Sequence, residues 1–223
     1  MKQYWHIPGP RGAPLGLPCI GFNKLDGSNL RFEFSRKKGW HKFGTRKRLF
    51  DQTDPDFGTA IQIFNETMVD GLESVFKNNK IYRNSDRFIV FCEFLGPNSF
   101  AGWHDPDDPK ELVLIDVSVH KRGMVLPRDF VKHFGHLQSA EVVYEGNFNK
   151  EFIQAVRNGE YPVEEGVVVK GVKGGKGVHG LWMSKVKTKT WFARLRKQAE
   201  TNLALQKTLA ENIMEQKSND LLV

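Results

Sequence analysis

Arg87 to Leu95, RFIVFCEFL, is too apolar for an exposed strand and belongs in the middle of a sheet. Leu112 to Val119, LVLIDVSV, is a second run of the same kind. With 39% hydrophobic and 12% aromatic residues, the 223-residue chain has enough apolar surface for one substantial domain and excludes disorder. Glu93 lies inside the first run. A carboxylate in such a strand costs several kcal/mol unless it is paired or hydrogen-bonded, so it is expected to face a polar cavity.

The remaining periodicities surround these strands with more sheet and a few helices. Met1 to Gly16 is rich in Pro and Gly and reads as an irregular arm, and Pro18 to Asn23 as a short strand. Leu30, Phe32 and Phe34 alternate with Arg31, Glu33 and Ser35, the period of a half-buried strand. Lys37-Lys38-Gly39 turns it into a hairpin partner, Trp40 to Arg48. After Gly58, the residues Ile61, Phe64, Met68, Leu72 and Val75 make one apolar helical stripe, with Thr59 or Asp56 as its cap. Helices are also predicted over Pro127 to Phe134 and Lys150 to Arg157, each closed by a left-handed glycine, Gly135 and Gly159. Glu141 to Glu145, Gly166 to Gly171 and Leu181 to Lys187 read as strands. The loop Gly96 to Pro109 carries Asp105, Asp107 and Asp108 but lacks the glycine and terminal glutamate of a calcium loop. Gly174-Gly175-Lys176-Gly177 lacks the ending of a phosphate loop and reads as a hairpin turn. The pattern is α+β, with antiparallel sheets flanked by helices.

Charge points to an anionic partner. The net charge is +7, and it is concentrated: nine Lys or Arg and no acid between Gly166 and Ala199, and seven with no acid between Arg36 and Arg48. Cys19 and Cys92 are the only cysteines and sit in apolar, strand-like surroundings. That argues for free thiols, a reducing compartment and a cytoplasmic protein. There is no signal-like apolar region and no run of the ~20 apolar residues that a membrane helix needs, so no membrane partner is expected. His41, His104, His120 and His179 have no metal-ligand spacing.

One set of polar residues is not explained by folding alone. Lys24-Leu25-Asp26-Gly27-Ser28-Asn29 puts a lysine at a strand end before a tight turn, where a glycine lets backbone come close to a ligand. Glu164 and Glu165 stand at the entrance of a strand that ends in Lys170. Lys185 and Lys187, two residues apart, share one face of another strand. Taken singly, each has a plain reading as a solvated strand end or exposed face. KLDGSN, FCEFLGP, LVLIDVSV, EEGVVVK and KVK in this order resemble motifs I, III, IIIa, IV and V of the covalent nucleotidyltransferase superfamily of ATP-dependent DNA ligases, RNA ligases and mRNA capping enzymes. The resemblance runs from about Pro18 to Lys187 and is nearest to the RNA ligases that seal nicks, because of Asn29 and FxEFxGP. Asp26, at the third place of motif I, is more typical of DNA ligases and capping enzymes.

The resemblance implies that Lys24 attacks the α-phosphorus of ATP and holds AMP as a phosphoramidate, with Mg²⁺ or Mn²⁺ assisting. A lysine, mostly protonated at neutral pH, needs burial and cationic neighbours to become a nucleophile. Lys185 and Lys187 are placed to supply such charges and to stabilise the phosphates. On the family pattern Glu93 holds the ribose, Glu165 binds the metal through water and Lys170 reaches a phosphate. Asp26 and Gly27 belong to the nucleotide-binding motif. Asn29 and an arginine of the returning strand, Arg46 or else Arg48, contact ribose or phosphate. LVLIDV offers no aromatic side chain for base stacking.

Residues 1–189 are thus expected to form the nucleotidyltransferase domain and 190–223 a helical extension. In the extension Leu205, Leu209 and Ile213 are spaced at i, i+4, and Trp191, Phe192 and Leu195 anchor its start. Its basic residues Arg194, Arg196 and Lys197 either cover the domain or touch nucleic acid phosphates. The 36 residues after Lys187 are too few for the OB-fold domain common in the superfamily. Compact ligases of this kind look like viral enzymes, an analogy at the level of the fold. The expected partner is nucleic acid, RNA ahead of DNA, bound by a monomer. A minimal DNA ligase shares every catalytic group, and a binding module that has lost catalysis is the alternative outside enzymes.

Overall fold

The computed structural model describes residues 1–96, 107–174 and 180–220. Asp105, His104, His179 and Gly175 to Gly177 lie outside the described residues. Elements are numbered along the chain. The two apolar runs are neighbours: β5 (Arg87–Leu95) and β6 (Glu111–Val119) pair antiparallel, Phe91 opposite Asp116 and Cys92 opposite Leu114. The skipped residue, Ile115, makes a bulge, which changes the pairing between the two ends of the strand.

These strands are central in a six-stranded antiparallel sheet ordered β4-β3-β2-β5-β6-β7, with β2 (Ser28–Ser35), β3 (Gly39–Thr45), β4 (Leu49–Phe50) and β7 (Gly123–Met124). The sheet belongs to a compact unit formed by Met1–Trp5 and Asp26–Ala140. Helices α1 (Gly58–Thr67), α2 (Val69–Asn78) and α3 (Pro127–Phe134) complete that unit. Phe64 stacks on Phe32 with centroids 3.9 Å apart, and Phe76 stacks on Phe88 at 3.8 Å. Such ring pairs contribute about 0.5–1.5 kcal/mol each beyond their buried area.

The expected single helix is two. Met68 closes α1 and opens α2, and its carbonyl accepts the Leu72 N–H, so the apolar stripe continues across the break. The stripe ends on buried Phe76 rather than Val75. Neither Thr59 nor Asp56 caps α1. Asp54 instead accepts the N–H groups of Asp56 and Phe57 ahead of the helix. β2 is not half-buried either, since Leu30 through Phe34 are all buried. The N-terminal residues cover its polar face: Arg31 donates to the Met1 carbonyl, and Tyr4 packs on Phe91 at 4.9 Å. The hairpin return is shorter than expected. β3 ends at Thr45, and Arg46 and Lys47 form a bend before β4.

The second unit consists of His6–Leu25 and Glu141–Val223. Its four-stranded antiparallel sheet is ordered β10-β9-β1-β8, from β1 (Pro18–Lys24), β8 (Val142–Asn147), β9 (Gly166–Val172) and β10 (Leu181–Lys187). One face packs on α4 (Lys150–Asn158), where Phe152, Ile153 and Val156 meet Cys19, Val167, Val169 and Val186. Asn149 caps α4 by accepting the Phe152 N–H, and Gly159 ends it in the left-handed conformation, φ +78°. Gly135, expected to end α3 the same way, is right-handed at φ −64°. Its N–H still donates to Val131, so the helical turn runs on through it.

Two helices, α5 (Lys189–Ala199) and α6 (Leu203–Asp220), follow β10 in the same unit, and Trp191, Phe192, Leu195 and Leu205 are buried there. Cys19 and Cys92 are both buried and free. Among the described residues no helix is long and apolar enough to cross a membrane.

Candidate active site

Strand register decides which face of the second sheet carries chemistry. Lys24 and Lys187 both pair with Gly166, Phe22 and Lys185 both pair with Val168, and Ile20 and Met183 both pair with Lys170. Side chains alternate along a strand, so these residues share the face opposite the Val167–Val169–Val186 core. Four lysines, at 24, 170, 185 and 187, are thereby placed on one face of three adjacent strands. Lys170 is 3% exposed and lies over the Phe22 ring at 4.6 Å, where its ammonium is held by an aromatic face.

Glu165 joins two of these lysines. One carboxylate oxygen lies 2.7 Å from Lys24 Nζ and the other 2.7 Å from Lys187 Nζ. The carboxylate is 3% exposed, so the pairs are barely screened by water. Burial alone would push its pKa up, but Lys24 and Lys187 together outweigh burial and hold it below the ordinary carboxylate range. Lys187 moves the other way. Burial, with Lys24 and Lys185 adding like charge, lowers it to about 8 against the opposing pull of Glu165. Its ammonium also sits 3.6 Å from the centre of the Trp191 ring and donates to Asn212 Oδ1 at 2.9 Å. This cluster is a cationic wall with one buried anion, suited to receive phosphate.

The turn that delivers Glu165 depends on its neighbours. Gly166 has φ +153°, and a Cβ there would lie 2.0 Å from the Val186 carbonyl oxygen. No side chain fits without parting β9 from β10. Gly166→Ala is expected to lower stability by about 2–3 kcal/mol in urea unfolding, and an unchanged midpoint would contradict the close approach. Thr188 fastens the same segment from the other side. Its N–H donates to the Glu165 carbonyl at 2.9 Å, its hydroxyl donates to the Glu164 carbonyl at 2.8 Å, and the hydroxyl oxygen accepts the Trp191 N–H to cap α5. Thr188→Val keeps the shape and loses the cap, so the melting temperature should fall by an amount equivalent to about 1–2 kcal/mol.

The other expected residues belong to the first unit. The division falls inside KLDGSN, between Leu25 and Asp26. Asn29 and Glu93 are direct cross-strand partners on β2 and β5, both partly exposed. Gly27 comes close to its own chain: a Cβ there would lie 2.4 Å from the Phe94 carbonyl oxygen. Its lack of a side chain lets the backbone pack closely beside Glu93. Arg46 and Arg48 do not share a strand face. Arg48 is committed to Asp54, with Asp56 3.8 Å away and the Phe57 ring alongside, whereas Arg46 is exposed in the bend and its carbonyl accepts from Gln3.

Sequence reading missed Tyr4, Asp116, Thr188 and Asn212. Tyr4 donates to the fully buried Asp116 carboxylate, and burial first, then Asp116 and Glu93, raise its pKa well above the usual phenol range. Asp116 inside LVLIDVSV was the one available signal, a buried acid that demands a donor. Nothing local marks Tyr4 or Asn212, whose partners are distant in sequence.

Among the described residues no three His, Cys, Asp or Glu side chains gather as a metal cage. Glu165 is the carboxylate within the lysine cluster. A single carboxylate beside a phosphate site suits Mg²⁺ or Mn²⁺, which keep most of their water and take the rest of their ligands from substrate phosphates.

The fold is similar to that of solved RNA ligases. The Naegleria gruberi RNA ligase with PPi superposes with a TM-score of 0.63 at 13% identity, covering 88% of this chain and 58% of that one. A variant of that enzyme with ATP and Mn gives 0.57 at 14%, covering 83% and 52%, and one with AMP and Mn gives 0.61 at 13%, covering 87% and 58%. At these identities the likeness shows the fold, and the chain spans little more than half the length of those structures. No curated protein matches the sequence. A family model described as RNA ligase matches residues 18–211, which includes β1, the turn at Glu165 and the Lys185–Lys187 strand. The chain belongs to the RNA ligase family.

Proposed function

We propose that the chain is an ATP-dependent RNA ligase that works through a covalent AMP on Lys24. The observation that carries this reading is the grip of Lys24 and Lys187 on the two oxygens of buried Glu165, on a sheet face that also holds Lys170 and Lys185. Lys24 Nζ, after losing a proton, attacks the α-phosphorus of ATP. An N–P bond forms, the bond from that phosphorus to the bridging oxygen breaks, and pyrophosphate leaves. A 5′-phosphate of the nucleic acid then takes the AMP from Lys24, and a 3′-hydroxyl displaces AMP to close the strand.

Glu165 holds Lys24 Nζ at 2.7 Å, which positions the nucleophile. An arriving triphosphate competes for Lys187 and weakens that side of the pair. Lys187, with its pKa lowered to about 8, is still mostly protonated at neutral pH, and phosphate in place beside it holds it as a cation where charge develops. Lys185 and Lys170 add positive charge on the same face. A divalent ion bound with the phosphates, with Glu165 its protein carboxylate, would neutralise charge on the α-phosphate and on leaving pyrophosphate. For Asn29 and Glu93, with Asp26 and Arg46, we propose the ribose and phosphate contacts that the family resemblance implies. The Naegleria complexes with ATP, AMP and PPi support nucleotide chemistry on this fold.

The test is incubation with ATP labelled at the α-phosphate and Mg²⁺, followed by a denaturing gel. Label retained from ATP and absent with GTP is expected, with nicked RNA and nicked DNA duplexes as competing substrates for sealing. Absence of any adduct, after pyrophosphate has removed pre-bound AMP, would refute the covalent mechanism.

A further inference from the structure

The basic stretch that begins at Arg36 is not used by the lysine cluster. Within the first unit it walls a groove of about 920 Å³, together with residues 80–87 and 120–122. The groove lies at the Ser35 end of β2 and the Arg87 end of β5, and Asn29 and Glu93 stand at the other ends of those strands. At ~3.3 Å per residue, the eight residues of β2 separate the two ends by roughly 23 Å.

Eight Lys or Arg side chains line this groove against two carboxylates, Glu33 and Asp86. Glu33 is buried, and one of its oxygens is shared among His41 at 3.5 Å, Arg87 at 3.9 Å and Lys42 at 4.0 Å. Arg36 is spent on the wall itself, since it donates to the carbonyls of Phe76, Arg83 and Ser85. Lys37, Lys38, Lys80 and Lys121 are left exposed, in no ion pair among the described residues. Lys121 has φ +63° and is the one non-glycine residue in the left-handed region among the described residues. Glycine would remove that backbone cost, so the position keeps a cation where conformation alone does not favour one.

Four unneutralised ammonium groups converging on one groove repel one another, and a polyanion relieves that repulsion. The volume exceeds what a single phosphate needs. The groove is lined by no Phe, Tyr or Trp, so it lacks the broad rings on which successive bases stack. We propose that this groove binds the sugar-phosphate backbone of RNA without reading its sequence, at a stretch separate from the ends being joined. The proposal rests on the ligase reading only for the identity of the polyanion.

The test uses the full chain, free of nucleotide, and a labelled single-stranded oligoribonucleotide of about 20 residues. Affinity is measured as salt rises from about 50 to 200 mM, for wild type and for Lys37→Ala/Lys38→Ala/Lys80→Ala/Lys121→Ala. Losing four phosphate contacts should reduce the log–log salt slope by about three and weaken binding about ten-fold or more at the lower salt. The quadruple arginine variant should restore both, and the melting temperatures should match wild type, since these lysines hold nothing in the fold. A quadruple alanine variant with wild-type affinity and slope would overturn the proposal and favour an acidic protein as the partner. Loss of binding that arginine does not restore would overturn it too. Binding is read without ATP, so a chain that forms no AMP adduct still gives an answer here, and labelling of the quadruple variant at the wild-type level keeps the two readings apart.

Discussion

Lys24→Ala incubated with α-labelled ATP carries no label through a denaturing gel, a loss of at least about a thousand-fold relative to wild type. Lys24 is the lysine at a strand end, 22% exposed, and paired with Glu165 at 2.7 Å. Lys187 is 11% exposed and shares its ammonium between Glu165, the Trp191 ring and Asn212. Substituting Lys24 removes the more accessible lysine, the proposed nucleophile, and leaves the buried cation in place. Lys24→Arg separates chemistry from folding. A guanidinium keeps the charge beside Glu165 but does not give up a proton at workable pH, so this variant should fold like wild type and still take no label. Label on either variant would move the nucleophile to another lysine of the same face, with Lys185 the first to test.

Glu165→Ala is expected to cost about 3–5 kcal/mol of stability near pH 7, because it strips the shared counter-ion from a buried lysine and its neighbour. The effect has a pH signature. Lys187 is depressed to about 8 in the folded protein by burial and by the charges of Lys24 and Lys185. A free lysine titrates near ~10.4, so between about pH 8 and ~10.4 the unfolded chain binds more protons than the folded one. In that window stability with respect to this group rises with pH. Without Glu165 the folded value drops below 8, and the relief begins at lower pH. Glu165 itself stays ionised throughout, since its pKa lies below the ordinary range. The stability gap between Glu165→Ala and wild type should therefore be widest at or below pH 7 and narrower at pH 9. Urea unfolding at the two pH values reads it. A gap independent of pH would mean that Lys187 is not buried as a charge against Glu165.

Much of the architecture was legible because burial leaves a local trace. RFIVFCEFL and LVLIDVSV are central strands, and LWMSKVK is a strand over the residues its alternation indicates. Elements differ from their local pattern where a contact, distant or near, intervened. β2 reads as half-buried from its own alternation, yet Met1 and Tyr4 cover its polar face. The cap of α1 was assigned to Thr59 or Asp56, while Asp54 takes the amides from a turn before the helix. Arg46 and Arg48 looked equivalent until the bend at residues 46 and 47 parted them and Asp54 engaged Arg48.

For the candidate site, the order of KLDGSN, FCEFLGP, EEGVVVK and KVK, through its resemblance to the nucleotidyltransferase motifs, singled out Lys24, Glu93, Glu165, Lys170, Lys185 and Lys187, and strand alternation put Lys185 and Lys187 on one face. What the sequence could not determine is which of them meet. Lys24 and Lys187 are 163 positions apart, and they share Glu165 only because β1 and β10 both pair with β9 at Gly166. Register across strands is set by the packing of Val167, Val169 and Val186 on α4, a long-range property without a local signature. The lowered pKa of Lys187 has the same origin. Desolvation and the surrounding charges exist only after the sheet has formed, so the sequence named the lysine and the tertiary structure decided its proton.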